Sequence, residues 1–181
     1  MEKVWSGMDK KTIDKTAQWL LSRKDGKGGF RQNRGKYAFA RANEEVVNAY
    51  IVYALSEAGY ANIATEFQAS LNSLSGKEDN YRRALLALAA FNLKKTEIAE
   101  ALLAEIKKSI NIHTIAKLPA AHSITYSMGK SLQVETAALS AIAFMKAATP
   151  DIGTIQKIID YIISQRSCGG FGYRRRGDQQ N

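Results

Sequence analysis

The chain has 181 residues, 45% of them hydrophobic and only two of them proline, enough for one domain with its own apolar core. Its formal charge of +9 is uneven: residues 1–41 hold eleven Lys/Arg against four Asp/Glu, residues 42–173 hold twelve of each, and Arg174, Arg175 and Arg176 stand against Asp178. A neutral body with basic ends argues against a nucleic-acid module, no run of eighteen apolar residues offers a membrane span, and a single cysteine excludes an internal disulfide framework.

Residues 1–11 contain Trp5 but no apolar stretch of the secretory-signal kind, so no signal peptide is expected there. Residues 10–23 place Ile13, Ala17, Leu20 and Leu21 on one stripe, the pattern of an amphipathic surface helix. Residues 43–58 differ. Asn43 is a suitable N-cap, Glu44 and Glu45 suit a first turn, and Gly59 marks the end. Here the apolar set covers most of the circumference, from Val46 and Val47 through Tyr50, Ile51, Val52 and Tyr53 to Leu55. Such a helix is expected to be wrapped by neighbours.

The two kinds then alternate. Residues 61–74 carry a single stripe (Ile63, Ala64, Phe67, Leu71, Leu74), and residues 80–92 are apolar nearly all round. Residues 96–111 return to one stripe (Ile98, Leu102, Leu103, Ile106, Ile110), with Thr96 read as the cap. A loop with hairpin character is expected over 112–130, around Pro119 and Gly129. Residues 131–148 are apolar all round, and 151–165 close with one stripe of isoleucines. Alternation of wrapped and one-sided helices predicts a double layer, with inner helices ringed by outer ones. A four-helix bundle needs only the one-sided kind, and a solenoid of paired helices stays open, although its two helices usually differ less in polarity.

An internal repeat points the same way. Trp19-Leu20-Leu21-Ser22 followed by Gly28-Gly29-Phe30 recurs as Tyr161-Ile162-Ile163-Ser164 followed by Gly169-Gly170-Phe171. Each copy ends a one-sided helix with a glycine turn and then sets an aromatic into the core.

Three segments carry a resemblance to a known family: residues 17–23 with Gly28-Gly29-Phe30, residues 48–59, and residues 129–139 leading to Gly169-Gly170-Phe171-Gly172. They resemble the thioester-containing domain of the alpha-macroglobulin and complement family, in its bacterial branch. The resemblance covers residues 12–172 and implies an all-α fold, an alpha/alpha toroid of paired helices. On that comparison the toroid is expected to be incomplete, with residues 1–172 forming the partial toroid and 173–181 a polar, disordered tail. It implies a parent protein that is periplasmic or extracellular and traps target proteases, acting as an endopeptidase inhibitor.

The family's chemistry rests on a Cys-Gly-Glu-Gln motif whose cysteine and glutamine form an internal thioester, an acyl group with a good leaving thiolate. No such motif occurs here: Cys168 is followed by Gly169-Gly170-Phe171 and reads as a turn residue. The stretch from Arg31 to Arg41, where some relatives keep an assisting histidine, has none; His113 and His122 flank Pro119 and read as loop residues. Cys168, His113 and His122 have no ligand-like spacing, so neither a metal nor any other cofactor is expected. No catalytic or thioester residue is assigned, and the chain is read as a non-catalytic fragment. Two other readings stand beside it. A toroid enzyme of the terpene cyclase or prenyltransferase type would need an acidic cluster or a zinc site, and no Asp-x-Asp pair occurs. A basic protein-interaction module would use Arg23, Lys24, Lys27, Arg31, Arg34 and Lys36 against an acidic surface. Helices at the open ends of a partial toroid would leave apolar flanks, which favours a homodimer unless the 112–130 loop or the Trp5 segment plugs them.

Overall fold

The computed structural model describes residues 9–32, 43–110, 118–167 and 170–171. Seven helices follow one another among them: α1 (Lys10–Ser22), α2 (Glu44–Glu57), α3 (Ala64–Asn72), α4 (Asn80–Asn92), α5 (Thr96–Ser109), α6 (Gly129–Met145) and α7 (Ile152–Ser164). Four start on a side-chain cap that fills an orphan amide. Asp9 accepts from Lys11 N at 3.0 Å, Asn43 from Glu45 N at 2.9 Å, Asp79 from Arg82 N at 3.2 Å and Asp151 from Thr154 N at 3.0 Å. Gly59, at φ 88°, ends α2 in a Schellman turn, with Tyr60 N on Leu55 O and Gly59 N on Ser56 O. Lys94 does the same for α4 at φ 60°, although it is not a glycine.

The helices form two layers. α4 packs against α2 on one side, α6 on the other and α5 behind, and Ala84 through Ala90 are all buried. The row α2–α4–α6 is the inner layer. α3 lies against α2 and α4, α5 against α4 and α6, and α7 against α6. α1 is an outer helix with only Ala17 fully buried. The core is accordingly two clusters joined across α4. One is centred on Phe30, Val52, Leu55, Phe67 and Leu85; the other on Leu88, Ile106, Phe144 and Ile158.

The architecture is the expected all-α toroid arrangement of alternating inner and outer helices, with several local departures. Thr96 is not the cap of α5: Lys95 holds that position and gives no side-chain bond. α3 begins after Ile63, and its buried face is Ile63, Glu66, Phe67, Ser70 and Leu74, whereas Ala64 is exposed. α6 starts two residues earlier than the apolar pattern suggests. Residues 118–128 form turns and irregular chain rather than the expected hairpin, and 111–117 lie outside the described residues. The one ladder among the described residues pairs β1 (Arg166–Ser167) antiparallel with β2 (Gly170–Phe171). The expected tail, 173–181, also lies outside the described residues.

Candidate functional site

The first glycine turn is fixed from both sides. Asp25 accepts from Gly29 N at 2.9 Å and Lys27 N at 2.7 Å, and these amides hold its carboxyl below the usual range. Phe30 N donates to Asn48 Oδ1 of α2 at 3.1 Å, so an inner helix reads the turn directly. A Cβ on Gly28 would stand 2.5 Å from Ala69 Cβ of α3, and one on Gly29 would meet Asp25 and Asn48 within about 3 Å. Only glycine lets the backbone come this close. Lys24 crosses the turn to Asn62 O and pairs with the buried Glu66 at 3.0 Å, at an angle that makes no hydrogen bond to that oxygen.

The described flanks of the second copy share two contacts with the first. Ser22 Oγ bonds Trp19 O, and Ser164 Oγ bonds Tyr161 O, each at 2.7 Å. Lys24 bridges Phe30, and Arg166, also two residues past its serine, pairs with Phe171. The serine bond also closes α2 and α3, at Ser56 and Ser73, so the strand-like pairing two residues past the serine is what the two copies share.

Two polar networks lie across the inner helices. At their N-terminal ends the buried Arg82 guanidinium reaches Asp79 at 2.8 Å, Ser73 Oγ at 2.9 Å and Glu45 at 3.1 Å, and Lys77 adds a 2.6 Å contact to Glu45. Beside it Tyr81 donates to Glu135 Oε1 at 3.1 Å and accepts from Ile124 N at 3.2 Å, while Thr125 donates to Glu135 Oε2 at 2.6 Å. Burial pushes the Tyr81 phenol far above its ordinary range. At the C-terminal ends, Glu57 of α2, Asn92 of α4 and Lys146 after α6 meet. Asn92 donates to Glu57 at 2.8 Å, and Lys146 bonds both Asn92 and Glu57. Tyr81 and Asn92, like Glu135 and Lys146, are eleven residues apart, about three helical turns, so the Tyr81–Glu135 contact and the Asn92–Lys146 contact lie on one face of the inner row. The sequence reading named Glu45 only as a first-turn acid and assigned none of these residues to a network. For Tyr81, Arg82, Asn92 and Glu135 the signal was a polar group inside an otherwise apolar helix, whereas Ser73, Lys77, Asp79, Thr125 and Lys146 lie between helices and carried no such signal.

This row of inner helices, in a sequence that repeats Gly-Gly-Phe, agrees with a family model for the A-macroglobulin TED domain that matches residues 1–178. The chain belongs to that family. No curated protein matches it.

Within this TED domain the residues weighed for chemistry are scattered. His122 is exposed, whereas His113 and Cys168 lie outside the described residues. Among the described residues no group of three His, Cys, Asp or Glu could hold a metal ion. Of the basic residues weighed for an acidic partner, Lys24 is engaged with Glu66 and Asn62 O. Arg23 bonds Arg31 O and stands 5.9 Å over the Trp19 ring. Lys27 and Arg31 are exposed, and Arg34 and Lys36 lie outside the described residues. The turn uses part of its positive charge to hold itself together.

Proposed function

We propose that the chain is a non-catalytic segment of a macroglobulin-type endopeptidase inhibitor, one that contributes packing and interaction surface to a protease-trapping protein and no acyl chemistry of its own. The observation that carries this reading is a TED-family match over 1–178 in a sequence with no Cys-Gly-Glu-Gln motif. A thioester needs both the thiol and the glutamine carbonyl, and Cys168 is followed in sequence by Gly169-Gly170-Phe171 rather than by Gly-Glu-Gln. The same reading places the parent protein outside the cytoplasm, in the periplasm or the extracellular space, with target proteases as its partners. No helix among the described residues is long and apolar enough to cross a membrane.

Methylamine treatment tests this. The expected result is an unchanged mass with no thiol released, together with no protection of a large substrate from trypsin by the chain alone. A stoichiometric methylamine adduct would overturn the proposal, and so would stoichiometric inhibition of trypsin. The toroid-enzyme alternative is weaker because it needs an acidic or zinc-binding cluster, and the carboxylates of the polar networks described above are each paired with a hydroxyl, amide, guanidinium or ammonium group.

A further inference from the structure

We infer that Asp25-Gly26 is a latent isomerisation site: the folded turn holds it shut, and a chain isomerised there while open cannot close the turn again. It is the one Asp-Gly step in the sequence, and no Asn-Gly step occurs. The reaction needs an aspartyl carboxyl and a following amide that can bend back onto it, which glycine allows because no side chain hinders the approach. The Gly26 nitrogen bonds to Asp25 Cγ of the neutral acid. The carboxyl hydroxyl leaves as water with the proton of that amide, and a five-membered succinimide results. Water then adds to the carbonyl carbon beside Asp25 Cα and breaks its bond to nitrogen. The main chain now runs through Cβ and Cγ, one carbon longer, and the former peptide carbonyl is a free carboxylate. Water is released and taken up again, so no other reactant is needed.

The folded turn commits the carboxyl to a different bonding arrangement. Asp25 Oδ1 accepts from Lys27 N at 2.7 Å and from Gly29 N at 2.9 Å, while Asp25 N donates to Gly29 O at 3.0 Å. These amides also favour the ionised carboxylate, which has no hydroxyl to lose. To react, the side chain must give up both amides and take on a proton. Packing around Gly26 adds nothing, since a Cβ there would meet no atom within 4 Å. The hydrogen bonds alone supply the protection.

The longer chain cannot be reseated. Gly28, Gly29 and Phe30 are buried. A Cβ on Gly28 would already stand 2.5 Å from Ala69 Cβ, and one on Gly29 would stand 3.0 Å from Asn48 Nδ2. An extra main-chain carbon displaces the turn from α3 and from α2 together, because close-packed groups leave it no space. The new carboxylate hangs directly on Cα, one atom short of the amides that Oδ1 reached. The step therefore records the time a chain has spent with this turn open.

Peptide mapping of the full chain tests this, with the aspartate and isoaspartate forms of the chymotryptic peptide that carries Asp25 resolved by chromatography and mass spectrometry. Kept warm at mildly acidic pH, the urea-unfolded chain is expected to gain isoaspartate about tenfold or more faster than the folded chain. The folded rate is scaled down by the fraction of time the turn is open. Gly28→Ala leaves the reacting residues unchanged but wedges the turn off α3. Shown to be folded by circular dichroism, it should isomerise several-fold faster than the folded wild type, and in urea at the same rate. Asn48→Ala, which removes the acceptor for Phe30 N, is the second variant if Gly28→Ala does not fold. After dilution from urea, the isoaspartate form should exchange its Gly29 and Phe30 amides faster than the aspartate form. Equal rates in the folded and unfolded wild type overturn the inference. Folded variants that isomerise no faster, or an isoaspartate form that protects those amides equally well, overturn it too.

Discussion

Gly28 is the residue with the least room to vary. Its φ of 96° strains any side chain, and a Cβ would overlap Ala69. Gly26, at φ 77°, has the same conformational demand but nothing within 4 Å. Gly28→Ala is therefore expected to cost about 2–4 kcal/mol and Gly26→Ala about 1 kcal/mol. Urea denaturation of the two variants checks this, and equal losses would show that the close approach to α3 is unimportant. The repeated Gly-Gly-Phe letters announced this turn. They did not announce Glu66 and Ser70, which are buried on α3 where Ala64 had seemed the apolar choice. A helix-period stripe has no means of flagging a buried carboxylate whose partner, Lys24, lies across an intervening inner helix in sequence. Arg82 is a similar case: Asp79 is a neighbour in sequence, but Ser73 reaches it only once α3 and α4 pack and Glu45 only once α2 and α4 pack.

At the scale of elements, polarity was legible and boundaries less so. The alternation of wrapped and one-sided helices identified the inner row because burial on all sides makes the middle of a helix apolar all round, and Ala84 through Ala90 of α4 show this most fully. Capping was readable where Asn43 stood alone before a helix, and misread at α5, where Thr96 follows a tight turn through Lys94 at φ 60°. That turn uses the left-handed conformation of a lysine to end α4, so α5 starts one residue earlier than the threonine suggests, on a residue with no capping side chain. Lys95→Asp should supply the missing acceptor and remove a positive charge from a helix N-terminus. A gain of about 0.5–1 kcal/mol is expected, read as a higher urea midpoint at unchanged slope. No gain would mean that Lys95 cannot direct a carboxylate at the first turn.

For the molecule as a whole, tyrosines set the alkaline limit. Tyr53, Tyr81 and Tyr161 all have phenols raised above the ordinary value by burial, Tyr81 the furthest. A folded-state value above the unfolded one leaves stability intact below about pH 10, where neither state ionises. Above that the unfolded chain loses protons that the folded chain keeps, so stability falls as pH rises. The melting temperature is expected to drop steeply between about pH 10 and 12, and Tyr81→Phe should make that slope shallower even if it lowers the melting temperature at neutral pH. An unchanged slope in the variant would locate the effect elsewhere. The overall charge was the least informative reading of the sequence: it located the basic turn, but geometry alone shows that Arg23 and Lys24 are engaged within it.

The contact between Lys146 and Glu57 spans 89 residues of chain. Closing a flexible loop of that length costs about 4 kcal/mol in chain entropy. A partly exposed ion pair returns about 0–1 kcal/mol. The pair is therefore too weak to draw the ends of α2 and α6 together from an open chain. It can form only after α4 has brought both helices alongside, with Asn92 already in place between them. In folding order it is a late latch, and α4 is the template on which the two halves of the chain are assembled.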